Sequence, residues 1–138
     1  MRSFVRAAVI LAMVALGAAG GLEAQEGLTK QDRQGPVTVA VTLTAVPAVG
    51  APIKVKVVLD THSVGLDGIA FDKVVALRSP DGADIAPTAV EQATGSGHHR
   101  EATLVFPPPA QAGPLKIVVM NVGGVAERSF VWELGPAR

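Results

Sequence analysis

At 138 residues, with 49% hydrophobic and 17% charged side chains, the chain is about one domain long and too apolar to stay disordered. Twelve basic residues balance twelve acidic ones and are scattered, which argues against a nucleic-acid or anionic-lipid footprint, and four Phe, one Trp and no Tyr leave few rings for stacking on bases or sugars. With no Cys there is neither a disulfide framework nor a lipid-modified N-terminal cysteine, so stability must come from packing.

Arg2 and Arg6 precede an uncharged run, Ala7 to Leu22, that ends in small residues. A positive start, an apolar run and small residues, in that order, predict a secretion signal over residues 1–24. Cleavage is expected after Ala24, with a cut near Ala19 or Gly20 as the alternative. The run is shorter than the roughly 20 apolar residues of a spanning helix; an uncleaved anchor is the competing reading. The mature protein is thus expected in the periplasm or secreted, without stable membrane insertion once the signal is removed.

Residues 25–35 (QEGLTKQDRQG) are polar and aperiodic, and are expected to be a flexible lead-in to a domain over residues 36–135. Val37, Val39, Val41 and Leu43 then alternate with Thr38, Ala40, Thr42 and Thr44, the two-residue period of a strand with one buried face. Ile53, Val55, Val57 and Leu59 repeat it. Lys54 and Lys56 between them set the register, because a one-residue slip would bury two ammonium groups. Further strands are expected at Phe71–Arg78, Ile85–Val90, Arg100–Phe106, Leu115–Asn121 and Glu127–Leu134. Ser79-Pro80-Asp81-Gly82 and Gly123-Gly124 have the chemistry of hairpin turns. Seven short strands broken by Pro and Gly predict an all-β, immunoglobulin- or fibronectin-III-like Greek-key β-sandwich, with an open barrel as the alternative. Its core is expected to contain Val39, Val41, Val55, Val57, Leu77, Leu104, Ile117, Val119, Phe130 and Trp132.

All three histidines lie in two segments, Leu59 to Asp67 (LDTHSVGLD) and Gly95 to Arg100 (GSGHHR). The second and fifth strands of such a sandwich run antiparallel side by side, so the end of one meets the start of the other. This places His62 at one pole with His98 and His99. With Asp60, they are the candidate ligands of a copper or zinc ion, the residue types those metals take. The structural alternative has Asp60, Thr61 and Ser63 accepting backbone N–H bonds in a loop while His98 and His99 cover a strand edge. No catalytic residue is assigned. Asp60, His62 and Ser63 lie on consecutive stretches of extended chain and point apart, and no nucleophile elbow is present.

The segments LDTHSVGLDG, GSGHHREATLVFP and NVGGVAERSFVWEL, in that order, resemble a family of small exported bacterial and archaeal immunoglobulin-like domains that carry LDTHS, GHHR and GGVxxRxFxW segments. The likeness spans Val37 to Leu134. It implies the sandwich fold and one recurring unit containing both histidine segments, and it transfers no activity. The functional expectation is a non-enzymatic binding or accessory domain of the periplasm or cell surface whose partner is another envelope or extracellular protein. The alternative is a copper- or zinc-binding protein using the histidine cluster. N-terminal sequencing of the exported protein is expected to show a cut between Ala19 and Gln25; recovery from membranes with Met1 attached would identify an anchored protein instead.

Overall fold

The computed structural model describes residues 27–48, 50–109 and 113–133. The expected secretion signal, residues 1–24, and Leu134 lie outside the described residues. The chain forms two antiparallel sheets packed face to face. One holds β1 (Thr29–Asp32), β2 (Val37–Leu43), β3 (Ile53–Thr61), β7 (His99–Phe106) and β6 (Ala89–Ser96), in that order. The other runs β5 (Asp84–Ile85), β4 (Val75–Arg78), β8 (Leu115–Val122), β9 (Val125–Trp132). The second and fifth of the expected strands pair as β3 and β7, with Leu59 opposite Arg100 and Asp60 opposite His99. Among the described residues no helix is long and apolar enough to cross a membrane.

The period-two pattern does what its chemistry requires. Along β2 and β3 every second residue is buried, and Lys54 and Lys56 stand in water. All ten residues assigned to the core are buried, Trp132 included at 4% exposure, so its ring is core and no ligand platform. Both expected hairpins form. Gly82 N donates to Ser79 O at 2.9 Å between β4 and β5, and Gly123-Gly124 joins β8 to β9. Gly123 has φ +60°, and a Cβ there would lie 2.7 Å from Val37 Cγ2, so glycine is required for the close approach of β8 to β2.

Three segments depart from the sequence reading. The expected flexible lead-in contains an edge strand: Thr29 to Asp32 pair with Thr42 to Val39, and the Thr29 and Thr42 hydroxyls bond at 2.8 Å. Phe71–Val74 is a helical turn, α1, and only Val75–Arg78 is strand. Continuing the strand back to Phe71 would have aimed Lys73 into the core with Phe71 and Val75; the turn buries Phe71 and leaves Lys73 in solvent. The expected strand Ile85–Val90 is two strands in different sheets. It breaks around Pro87, which has no N–H to give to a ladder, and β6 continues to Ser96.

One buried charge ties the sheets together. Arg128, 1% exposed, sits on the inward face of β9 with Phe130 and Trp132. Its Nε donates to Asp32 Oδ1 at 3.1 Å, Nη1 to Val122 O at 2.9 Å, and Nη2 to Gln34 O at 2.7 Å and Val37 O at 3.2 Å. Burial alone would raise the Asp32 carboxyl, but bonds from Gln34 and the Arg128 guanidinium hold it below its ordinary value. Arg128→Leu should lower unfolding free energy by about 2–4 kcal/mol, because it takes the counter-charge from the partly exposed Asp32 carboxylate and leaves the Val122 and Val37 carbonyls unpaired in a buried site. Trp132→Ala should cost about 3–5 kcal/mol by emptying a large core site. Denaturant unfolding measures both; a loss below about 1 kcal/mol for either would show that the side chain is solvated in solution.

Candidate functional site

The β3–β7 pairing carries the two histidine segments to one pole of the sandwich, where the 62–70 loop, the Gly97-His98 turn and the Gly123-Gly124 turn meet. The loop is tied to the turn and the strand that follows it. Thr61 N donates to His98 O at 3.0 Å, Leu66 N to Gly97 O at 2.9 Å, and Gly97 N to Asp67 Oδ1 at 2.8 Å. Arg100 reaches into the loop: Nη1 donates to Leu66 O at 2.9 Å and Ile69 O at 2.5 Å, and the guanidinium lies 5.0 Å over the Phe71 ring. Thr61 holds the loop's base, its hydroxyl donating to Pro36 O at 2.8 Å while accepting from Ser63 N and Val64 N. Leu66, 1% exposed, plugs the loop into the core. The turn itself needs Gly95 at φ +88°, since a Cβ there would overlap the His99 carbonyl oxygen.

The four candidate ligands do not form one cluster. Asp60 and His99, opposite each other on β3 and β7, are joined: His99 Nδ1 lies 2.5 Å from Asp60 Oδ1, where its N–H donates to the carboxylate. The other ring nitrogen, Nε2, faces Glu101 Oε2 at 3.6 Å, and Glu101 is also 3.4 Å from Lys56 Nζ. The bond to Asp60 raises the His99 pKa above its ordinary value; slight desolvation opposes this, and the charges of Asp60 and Glu101 add to it. His62 and His98 are exposed on the loop and the turn and take no part in this network.

The side chains expected as metal ligands are thus divided between the Asp60–His99 pair and two exposed histidines. The two nitrogens of His99 face different carboxylates, Nδ1 that of Asp60 and Nε2 that of Glu101. Among the described residues no group of three or more His, Cys, Asp or Glu side chains is placed to hold a metal ion. The Asp60–His99 pair has the look of half a hydrolytic triad, but Nε2, the nitrogen that would take a nucleophile's proton, faces a carboxylate. What the arrangement can do is hold a proton between two carboxylates.

Of the capping roles expected in the structural alternative, Thr61 has one; Asp60 instead bonds His99, and Asp67 caps the neighbouring turn. The strand pattern alone gives Arg100 no role beyond the start of β7. Its signal was available, because it shares the apolar phase with Ala102, Leu104 and Phe106, and a charged side chain in that phase must find partners. A mostly apolar groove of about 310 Å³ at the opposite pole, lined in part by Leu77, Ile85, Pro109, Pro114 and Leu115, touches none of these residues.

No protein family, curated protein or solved structure matches the chain.

Proposed function

We propose that the chain is a non-enzymatic binding or accessory domain of the periplasm or cell surface that engages a partner protein with its histidine pole. The observation that carries this reading is the pinned 62–70 loop. Bonds from Thr61, Asp67 and Arg100 order a surface loop whose outward side chains, His62 and Ser63, are exposed, beside an exposed His98. A loop already ordered before contact loses less entropy on binding.

The sheet edges argue for the loops as the contact. β6 carries a bulge between Glu91 and Thr94, with Gln92 at φ +51°, and β5 is two residues long. β1 is short and turns Lys30 and Asp32 inward, and its Asp32 is tied to Arg128 of β9. These devices discourage pairing with an added strand. The first and last described residues both lie toward the opposite pole, near Leu43 and Leu115.

The test is chemical cross-linking of the protein in the envelope and secreted fractions of its source cells, followed by identification of the captured protein. The His62→Ala, Ser63→Ala, His98→Ala triple variant is expected to lose the partner that the wild-type protein captures. Val46→Asp, an exposed change at the opposite pole, is expected to retain it. Capture that survives the triple variant and fails in Val46→Asp would move the contact to the other pole.

A further inference from the structure

We propose that the open edge of β9 is a dimer interface, at which a second copy of the chain adds its own β9 antiparallel about a two-fold axis at Ser129. The inference goes beyond the reading of the histidine pole and does not depend on it.

Four strands end the two sheets, and β9 differs from the other three. β5 has two residues, β1 has four, and β6 carries a bulge. β9 runs for eight residues in one register with β8, and its sequence VAERSFVW holds no Pro or Lys, the residues that natural edges use against pairing. Val122 and Val125 close the two-residue Gly123-Gly124 turn, and such a closing pair exchanges both main-chain bonds. The alternation that follows gives the N–H and C=O groups of Glu127, Ser129 and Val131 to β8 and aims those of Arg128, Phe130 and Trp132 away from it. Among the described residues, no main-chain bond outside the β8–β9 ladder reaches any residue of β9.

β1 does not pair with this edge. It belongs to the other sheet, and its side chains reach across: Asp32 to Arg128, and Lys30 to 6.0 Å from the centre of the Trp132 ring. At the histidine pole the turn at Gly35 comes close to Gly123 O and Val125, so the stretch for pairing lies beyond Val125.

The edge is complementary to itself. With Ser129 on the axis, Arg128 exchanges main-chain bonds with the partner subunit's Phe130, and Glu127 stands opposite the partner subunit's Val131. No like charges meet. Glu127 is the one charge on the outward face of β9 and is already paired with Arg78, while the Arg128 guanidinium is committed inside. Val131, one of three exposed large hydrophobic side chains among the described residues, gains an aliphatic neighbour across the axis. Moving the axis to Phe130 would set Glu127 against the partner subunit's Glu133, and moving it to Arg128 would run the pairing into the Gly35 turn. In the dimer two four-stranded sheets become one, and the two histidine poles lie at its opposite ends. An edge contact is small beside the roughly 1,200–2,000 Å² of a standard interface, so the dimer is expected to form in the micromolar range.

Sedimentation velocity of the exported protein over roughly 1–300 µM is expected to show the mass rising from one chain to two. Ser129 is exposed, so charges placed there act on the axis and leave the core intact. Ser129→Glu and Ser129→Lys are each expected to weaken dimerisation about tenfold or more, and an equimolar mixture of the two to restore it. Both should keep the wild-type thermal transition at low concentration. The chain has no cysteine, so Ser129→Cys adds a single reporter. A pair of this kind, not bonded main chain to main chain, brings Cα atoms to about 4.5 Å, within disulfide reach. Mild oxidation is expected to link Ser129→Cys copies about tenfold faster than Val46→Cys copies, whose thiol is exposed at the other pole. A single-chain mass throughout, a dimer indifferent to both charge variants, no recovery on mixing, or equal linking of the two cysteine variants overturns the inference.

Discussion

A buried guanidinium on the last strand holds the two sheets in register with each other. Arg128 has no solvent with which to share its charge, and in a dry site such a group is tolerated only when hydrogen bonds and an opposite charge replace the water it lost. Asp32 supplies the charge, and Val122, Gln34 and Val37 supply the carbonyls. Those acceptors belong to both sheets and to the connection between β1 and β2. The side of the sandwich where β1 meets β9 is therefore closed by electrostatics, in a chain that has no cysteine to close it covalently.

The same principle operates a second time at the histidine pole. Arg100 also lies in the apolar phase of its strand, and it too spends its donors on main-chain oxygens, here those of the 62–70 loop. Arginine suits both places because its planar fork offers several donors at fixed angles, which a lysine ammonium cannot do. One arginine closes the sandwich and the other turns a long inter-sheet connection into an ordered surface. Gly123, packed on Val37, sets how closely the third element of the pole can approach.

Elsewhere the charges neutralise each other locally. Lys54 pairs with Glu91 and Lys56 with Glu101 across the outer face of the five-stranded sheet, and Arg78 pairs with Asp84 and Glu127 on the other. Exposed pairs of this kind add little stability, and with no net charge they leave no long-range field to steer a partner. On the reading proposed above, recognition falls to shape and to polar side chains outside these pairs, of which His62, Ser63 and His98 are grouped at one pole.

The sequence by itself determined the strands that have one buried face, the core they form and the two Gly-containing hairpins, because period-two burial and turn dihedrals are local properties. It also determined that β3 and β7 would carry the two histidine segments to one pole, since adjacent antiparallel strands carry their ends together. Tertiary structure alone decided the rest. β1 has no apolar rhythm: Thr29 is stabilised by Thr42 and Asp32 by Arg128, ninety-six residues away. The break around Pro87 sends one apparent strand into two sheets, and the Phe71 turn answers the need to keep Lys73 in water. The three histidines share a pole as their strands require, but only His99 pairs with a carboxylate. The direction of the His99 ring depends on which carboxylate stands across the sheet, and residue spacing along one strand carries no information about that.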